Sequence, residues 1–353
     1  MSPFKSSSGR NLGKLVESFK SSNMGSGLDS VSRTAGKKFE AVITGGYAKV
    51  DDTSGEFYFY IFTSPGSITL QNNGINGSIS TKYAVIGGGA SAPGYNSTAG
   101  AYTLGNQGNP SSAFGSTAPG GGVGGAYNPS SAGADGGSGG GGGSPNNAGG
   151  AGEGFPSPTQ QGYPGGTAAG TYGGGGGGGA GEEGQNASGT PGTSARGGDG
   201  IVLEVDKADG SSNGSLLPTS YGATHPSQPG RWFAGGGGGG GGGPASDIRG
   251  GYGGGGYGVN GGDPNYDTQI LAFGHANTGG GGGGWDGPSG GGGGAGGGGA
   301  GGVVQGIKTW NSSDYNQTYL ITVGEGGAKT DCADSTTEGN QGGSGIVIVR
   351  FPK

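Results

Sequence analysis

The chain has 353 residues, of which 103 are glycine and 28% are hydrophobic, and its formal net charge is −6. So few apolar side chains cannot give the glycine-rich middle of the chain a core of ordinary size. The acidic balance argues against a nucleic-acid partner, because binding to phosphates requires basic side chains. A single cysteine, Cys332, excludes an intramolecular disulfide framework. No apolar run reaches the length of a membrane span, so membrane insertion is not expected.

Residues 1–38 are rich in serine and glycine and carry more basic than acidic side chains. Within them Leu12, Leu15, Val16 and Phe19 follow the spacing i, i+3, i+4, i+7, which predicts one apolar face on a short helix. So short a helix is unstable alone in water and must dock on something. It is either the anchor to a larger assembly or a helix that docks on the chain's own β-domain. The start of the segment also lacks the apolar stretch of a signal peptide, which favours a virion component released by lysis.

Two parts of the chain that flank the glycine-rich middle alternate apolar and polar residues with a period of two. Strands are predicted at residues 39–44, 56–62, 67–70, 82–86, 318–323 and 346–351. A further strand is predicted at 201–205, inside the glycine-rich middle. We expect the strands to meet in one small β-sandwich or sheet. The fold class is therefore all-β with little α-helix: residues 39–86 plus 318–353 form a β-module, and residues 87–317 are an insertion into it.

Runs of glycine divide this insertion, and the longest covers residues 235–243. Others lie at 136–143 (interrupted by Ser138), 173–179, 253–256, 279–284, 290–294 and 296–299. Glycine has no side chain to bury and loses much backbone freedom on folding, so such runs make neither stable helices nor ordinary strands. A bundle of packed polyglycine-II helices would satisfy every backbone N–H and C=O through neighbouring helices. The alternative is a set of flexible glycine linkers.

Patterns that resemble catalytic or ligand motifs are weak in this chain. Matches to G-x-G-x-x-G are frequent only because glycine is frequent. Residues 323–330 follow a predicted strand as a phosphate loop does, but Ala328 stands where a glycine is required. The two histidines, His225 and His275, belong to no cluster with metal-ligand spacing, and residues 206–210 carry only a fragment of a calcium loop. We therefore predict no enzyme activity, no cofactor and no metal site.

Aromatic side chains stand in the loops between the glycine runs. Most are expected to cover the faces of the bundle, because large side chains shield backbone groups from water. Aromatic residues are also frequent anchors of binding surfaces. The candidates for a receptor-binding surface are Tyr95, Tyr102, Phe114, Phe155, Tyr163 and Tyr221. Trp232 and Trp285 adjoin glycine runs and are expected to pack on the bundle instead.

Several segments resemble the glycine-rich module of phage and bacterial proteins. They are Gly45-Gly46-Tyr47, Phe62-Thr63-Ser64-Pro65-Gly66-Ser67-Ile68-Thr69-Leu70, Tyr83-Ala84-Val85-Ile86-Gly87-Gly88-Gly89 and Gly342-Gly343-Ser344-Gly345-Ile346-Val347-Ile348-Val349-Arg350-Phe351. The glycine bundle is similar to that of the tail-fibre-tip adhesins of T-even-like phages and, more distantly, to the glycine-rich ectodomain of anaplastic lymphoma kinase. The resemblance covers residues 36–353 and implies a virion structural protein. In the tail-tip adhesins, loops that join polyglycine helices contact host outer-membrane receptors, which implies the same role for the loops here.

Three functions are compatible with these patterns. In the first, the chain is a tail-fibre or tail-tip adhesin on the phage surface, attached to other virion proteins through its N-terminus and bound to a protein or glycan receptor of the host cell. Receptor binding is then expected in loops 95–114, 155–172 and 212–229. In the second, it is a non-adhesive decoration or spacer protein of the capsid or tail. The third, an extracellular surface or ice-binding protein, is disfavoured because these loops are irregular and aromatic rather than flat. Each of the three functions is compatible with a homo-oligomer.

Overall fold

The computed structural model describes residues 40–52, 54–71, 78–96, 101–153, 160–189, 193, 195–211, 214, 216–241, 248–259, 272–285, 293–330 and 339–353. The regular secondary structure of these residues consists of strands, apart from one three-residue 3₁₀ helix, Glu204–Asp206, and a single helical residue. The expected all-β class with little helix is therefore confirmed. The predicted anchor in residues 1–38 and the candidate Phe155 lie outside the described residues.

Thirteen strands are defined in the described part of the chain. They are β1 (Ala41–Asp51), β2 (Phe57–Leu70), β3 (Ile79–Ile86), β4 (Gly94–Asn96), β5 (Ala101–Thr103), β6 (Ser111–Ala113), β7 (Ser116–Ala118), β8 (Gln160–Gln161), β9 (Ile201–Val202), β10 (Trp232–Phe233), β11 (Val303–Trp310), β12 (Thr318–Ile321) and β13 (Ile346–Pro352). Seven of them form one antiparallel sheet. Six follow the order β1-β2-β13-β3-β11-β8, and β12 pairs with residues 66–69 of β2, after the part of β2 that pairs with β13. The other six form three separate two-stranded pairs, β4–β5, β6–β7 and β9–β10.

The sheet is covered on both faces, and β13 lies in its middle between β2 and β3. Ile346 and Ile348 of this strand pack into one apolar cluster, whereas Val347, Val349 and Phe351 pack into a second. Successive side chains of a strand point to opposite faces, so a strand buried on both sides is apolar at nearly every position. This is why the sequence of the C-terminal segment predicts a strand so clearly.

The two clusters are completed by different parts of the insertion. Leu203, Val205, Leu216, Leu217 and Phe233 cover the first face. The β6–β7 hairpin covers the second, together with Trp310 and Tyr315. The core therefore depends on segments that are distant in sequence from the strands they cover.

The prediction of a strand at residues 201–205 is wrong in extent and in partner. Only β9 is a strand, and it pairs with β10 rather than with the seven-stranded sheet. After it the chain turns into the 3₁₀ helix, and Leu203 and Val205 become fully buried against the face of the sheet. Their apolar character therefore reflects packing onto a sheet and not membership of it.

Strand β11 belongs to the sheet, although the sequence places residues 303–310 in the insertion. It pairs with β3 over its whole length, from Val303 opposite Ile86 to Trp310 opposite Ile79. Its sequence, VVQGIKTW, contains a glycine and exposes Ile307, which is 64% accessible. A strand of this composition has too weak an apolar alternation to be recognised from sequence.

Residues 235–240 belong to no strand, yet their backbone groups are regularly hydrogen-bonded. The N–H groups of Gly235 and Gly238 donate to Gly253 and Gly256, those of Gly236 and Gly239 donate to Gly198 and Ala195, and those of Gly237 and Gly240 donate to Gly298 and Ala295. Every third N–H group therefore points to the same neighbouring segment. The carbonyls follow the same rule: those of Gly235 and Gly238 accept from Gly281 and Gly284, and those of Gly237 and Gly240 accept from Gly177 and Gly174.

Residues 295–301 repeat this arrangement. The N–H groups of Ala295, Gly298 and Gly301 donate to Trp285, Gly282 and Gly279, while those of Gly297 and Ala300 donate to Gly175 and Gly178. Neighbouring backbones come into direct contact as a result. A Cβ atom built on Gly237 would lie 2.0 Å from the carbonyl oxygen of Gly282. No other residue type fits such a position without moving a backbone.

The glycine-rich segments join the sheet to a group of loops. Residues 294–302 lead from one such loop to β11, and an extended chain of this length spans about 25 Å. At their far end the N–H of Ser144 donates to Gly294 (2.9 Å), and the N–H of Tyr102 donates to Asn128 (2.6 Å). Strands β4 and β5 and residues 126–131 and 143–147 therefore gather at the end of the glycine-rich region opposite the sheet, which we call the distal end.

Candidate functional site

Two of the six candidate aromatic residues meet at the distal end. Tyr95 on β4 and Tyr102 on β5 face each other with ring centroids 5.1 Å apart. Tyr102 is 5% exposed, and its hydroxyl donates to the carbonyl of Gly293 (2.7 Å). Tyr95 also packs against the apolar cluster of Val259, Ala272 and the fully buried Trp285. This pair covers the distal end of the glycine-rich region. The position of Tyr102 therefore favours a role in covering the bundle over a role in receptor binding.

Phe114 lies at the sheet and not at the distal end. It occupies the turn of the β6–β7 hairpin with a φ of 52°. Its ring makes edge contacts with Tyr83 (5.2 Å), Trp310 (5.6 Å) and Tyr319 (5.7 Å). Phe114 therefore anchors the hairpin on one face of the sheet.

Tyr221 also belongs to the sheet end. It is half-buried and packs against the apolar cluster that contains Leu216 and Phe233. The structure thus brings together only Tyr95 and Tyr102 of the candidates that it describes. Receptor binding by the six residues stays a prediction, and the described ones occupy three separate places.

Tyr163 lines an open cavity on the side of the glycine-rich region. The cavity has a volume of about 600 Å³, and residues 181–186 form the rest of its lining. Glu182, Glu183, Gln185 and Asn186 contribute exposed polar side chains to it. An aromatic residue therefore lies beside carboxylate and carboxamide groups in this cavity.

A second cavity of about 650 Å³ adjoins the first, because Gly181 and Glu182 line both. Trp232 is the one aromatic residue of its described lining, and Asp199, Glu204, Lys207, Gln228 and Gln305 supply polar groups. The two cavities together are called the flank groove below. It runs along the side of the glycine-rich region from Tyr163 to Gln305, beside the sheet.

The ring of Trp232 is fixed from behind by a stack of aromatic rings. His225 lies 4.8 Å from Trp232 and 4.1 Å from Tyr252, measured between ring centroids. The guanidinium of Arg196 lies 5.1 Å from the centroid of Tyr252, within the range of a cation–π interaction. Arg196 also pairs with Asp199 and lies 3.9 Å from Glu182. The lining of the flank groove is therefore rigidly supported.

A buried carboxylate organises the loop that forms the floor of the groove. Asp206 is fully buried and accepts hydrogen bonds from the backbone N–H groups of Leu217 (2.6 Å) and Arg231 (2.9 Å). Burial raises the pKa of Asp206, and these hydrogen bonds oppose the rise by stabilising its charged form. The bond to Arg231 lies next to Trp232, so Asp206 helps to position that ring.

Arg350 of β13 ties the same loop to the sheet. It is 3% exposed, donates to the carbonyl of Lys207 (2.6 Å) and pairs with Asp209 (2.6 Å). Asp209 also accepts from Lys82 (2.8 Å), and its hydrogen bonds to Lys82 and Arg350 lower the pKa of its carboxyl group. The acidic residues at 206–210 therefore have structural roles. Asp206 fixes backbone groups of the loop, and Asp209 connects the loop to the sheet.

Neither a metal cluster nor a membrane span is found within the described ranges. No three His, Cys, Asp or Glu side chains there come together where they could hold a metal ion. No helix in the same part of the chain is both long and apolar enough to cross a membrane. Comparison with family models, curated proteins and solved structures gave no match to this chain.

Sequence reasoning misses the flank groove because its lining comes from five separate segments of the chain. The sequence singles out Tyr163, but it leads to the expectation that Trp232 only packs on the glycine bundle. In the structure Trp232 is less buried than the other two tryptophans, Trp285 and Trp310, which are both fully buried. That difference is a property of the fold and is not visible in the sequence.

Proposed function

We propose that this chain is a bacteriophage tail-fibre or tail-tip adhesin, in which packed polyglycine-II helices support receptor-binding surfaces. The function is binding and not catalysis. The chain attaches to other virion proteins through residues 1–38 and contacts a surface receptor of the host cell. It therefore acts on the outside of the phage particle.

The observation that carries this proposal is the three-residue period of the hydrogen bonds made by residues 235–240 and 295–301. A polyglycine-II helix has three residues per turn and no internal hydrogen bonds, so every third backbone group points to the same neighbour. Because most backbone polar groups of these two segments are paired with neighbouring segments, the scaffold needs no large apolar core. This agrees with the low fraction of hydrophobic residues, 28%.

A scaffold of this kind suits an adhesin because it separates stability from recognition. The glycine segments fix the ends of each loop through backbone contacts, so loop side chains can change without altering the packing. Strands β4 and β5 and loops 126–131 and 143–147 share the distal end, where a receptor can approach them together. Weak binding at each copy is sufficient when several copies act on one particle.

A non-adhesive spacer or decoration protein is the second candidate. The observation in its favour is that Tyr102 is buried and that the half-buried Phe114 packs against the core of the sheet. In that case the glycine-rich region serves only as a stiff rod between two virion proteins. The two functions differ in one property, which is binding to host cells.

A competition assay for phage adsorption distinguishes an adhesin from a spacer protein. Purified recombinant protein is added to host cells before the phage, and the number of unadsorbed particles is counted. An adhesin reduces adsorption in a saturable manner and labels the cells directly. A protein that neither binds the cells nor competes at saturating concentration is a spacer, and the adhesin proposal is then wrong.

A further inference from the structure

We propose that the flank groove is a binding site for a neutral oligosaccharide. Its two cavities, of about 650 and 600 Å³, each contain one aromatic ring, Trp232 in the first and Tyr163 in the second. Because Gly181 and Glu182 line both cavities, the two lie side by side. Two aromatic positions in adjoining cavities suit an elongated ligand with repeating units.

The chemistry of the lining matches a polyhydroxylated ligand. Sugar rings carry C–H groups on their faces, which pack on aromatic rings, and hydroxyl groups at their edges, which need planar hydrogen-bonding partners. Gln185 and Gln228 are exposed carboxamides, and Glu183 is an exposed carboxylate, so all three are open to solvent in the groove. The two carboxamides both donate and accept hydrogen bonds, and the carboxylate accepts them, so together they offer the partners that hydroxyl groups require.

The charge of the groove excludes acidic polysaccharides. Among the described residues, four carboxylates line it, from Glu182, Glu183, Asp199 and Glu204, whereas Lys207 is the one basic residue of that lining. Lys207 is itself paired with Glu204 at 2.7 Å. An anionic ligand would meet net repulsion at this surface. A neutral saccharide avoids this cost and is therefore the expected class of ligand.

The rigid support of the groove also favours ligand binding. The stack of His225 and Tyr252 behind Trp232, and the hydrogen bond from the N–H of Arg231 to buried Asp206, fix the tryptophan before a ligand arrives. Little side-chain freedom is then lost on binding. The inference rests on the proposed function only for the source of the saccharide, which would be the surface of the host cell.

Tryptophan fluorescence provides a direct test, because Trp232 is the part-exposed member of the three tryptophans of the chain. The full-length protein is titrated with maltohexaose, cellohexaose, chitohexaose and mannohexaose while quenching by acrylamide is followed. We expect at least one of them to give a saturable spectral change and to reduce the quenching. Calorimetry then measures the affinity of variants that lack the fluorescent reporter.

Three variants separate the groove from the rest of the surface. Trp232→Ala is expected to weaken saccharide binding at least about tenfold, since it removes one of the two stacking surfaces. Gln228→Ala changes an exposed side chain, leaves the fold intact and is expected to weaken binding about threefold to tenfold. Tyr257→Ala, which removes a 39% exposed ring outside the groove, is expected to leave the affinity unchanged.

The inference is overturned if none of the four saccharides binds, if hexalysine protects Trp232 from acrylamide while the saccharides do not, or if Gln228→Ala binds as tightly as the wild type. Each of these results is compatible with competition for phage adsorption, so the adhesin proposal would survive them. Conversely, saccharide binding without competition would retain the groove as a glycan site and remove the adhesin role.

Discussion

The carboxylate of Asp314 connects the turn between β11 and β12 to both strands. It accepts hydrogen bonds from the ammonium of Lys308 (2.6 Å), from the backbone N–H of Asn311 (2.8 Å) and from the hydroxyl of Tyr319. The bonds from Lys308 and Tyr319 are the main reason why the pKa of Asp314 falls from 3.8 to about 2. Its charged form is therefore favoured by folding.

We predict that Asp314→Asn lowers the stability at pH 7 by about 1 kcal/mol, the usual contribution of a hydrogen-bonded ion pair near the surface. The folded-state pKa is depressed, so this contribution is complete above pH 3.8 and is lost as the pH falls toward 2. The difference in melting temperature between the wild type and Asp314→Asn should therefore shrink over that interval. Glu183→Gln, at an exposed site, is the control, and a difference that is constant down to pH 2 would contradict the role given to Asp314.

The glycine segments are the elements on which the fold depends most. Gly239 lies in the middle of the longest run, and a Cβ atom there would be 2.2 Å from the carbonyl oxygen of Gly174. Gly189 makes a useful comparison, because a Cβ atom built there meets nothing within 4 Å although its φ is +84°. Steric exclusion and backbone conformation can thus be separated at two positions of one protein.

We predict that Gly239→Val lowers the free energy of unfolding by at least about 3 kcal/mol, because two backbones must move apart. Gly189→Ala should lower it by only about 1–2 kcal/mol, the cost of a left-handed conformation. Denaturant unfolding of both variants measures the difference. Equal stability of Gly239→Val and the wild type would mean that the glycine segments are not in backbone contact.

Elements with strong local patterns are predictable from the sequence, and those set by distant contacts are not. Strand β13 is recognisable because each of its residues from Ile346 to Val349 is apolar. Strand β11 is not, since Gly306 and Lys308 interrupt its pattern. Residues 201–205 have the pattern of a strand of the sheet, but their apolar side chains pack on the face of the sheet.

The candidate sites are less predictable because exposure is decided by the whole molecule. Tyr102 resembles any loop tyrosine in the sequence, yet its hydroxyl reaches the carbonyl of Gly293, 191 residues later. The flank groove likewise combines side chains from residues 163 to 305. Single-sequence reasoning identifies the residue types that can bind a ligand, but not which of them end up side by side.

At the scale of the whole molecule, the packing on both faces of the sheet is accounted for by residues from 40 onward that the structure describes. The seven-stranded sheet is covered on both faces by parts of the chain that follow Ser78 in sequence or belong to the sheet itself. We therefore predict that deletion of residues 1–38 leaves a soluble, folded protein with an unchanged melting temperature. The loss of Leu12, Leu15, Val16 and Phe19 should prevent incorporation into phage particles, because these residues form the predicted anchor.

Particle assembly in the presence of the truncated protein checks this prediction, with mass spectrometry of purified particles as the readout. A variant with Leu15 and Phe19 replaced by serine is the matched control, since it keeps the length of the segment. Incorporation of the truncated protein at the wild-type level would place the anchor elsewhere. A truncated protein that unfolds would favour the alternative, in which the helix docks on the β-module.

Amide hydrogen exchange of the glycine runs tests the central claim, that backbone hydrogen bonds between packed glycine segments form the scaffold. Flexible linkers and a packed bundle have the same composition but opposite exchange behaviour, because only hydrogen-bonded amides are protected. We predict that the amides of residues 235–240 and 295–301 exchange as slowly as those of β13 in the middle of the sheet. Exchange of these glycine amides at the rate of an unfolded chain, while β13 stays protected, would contradict it.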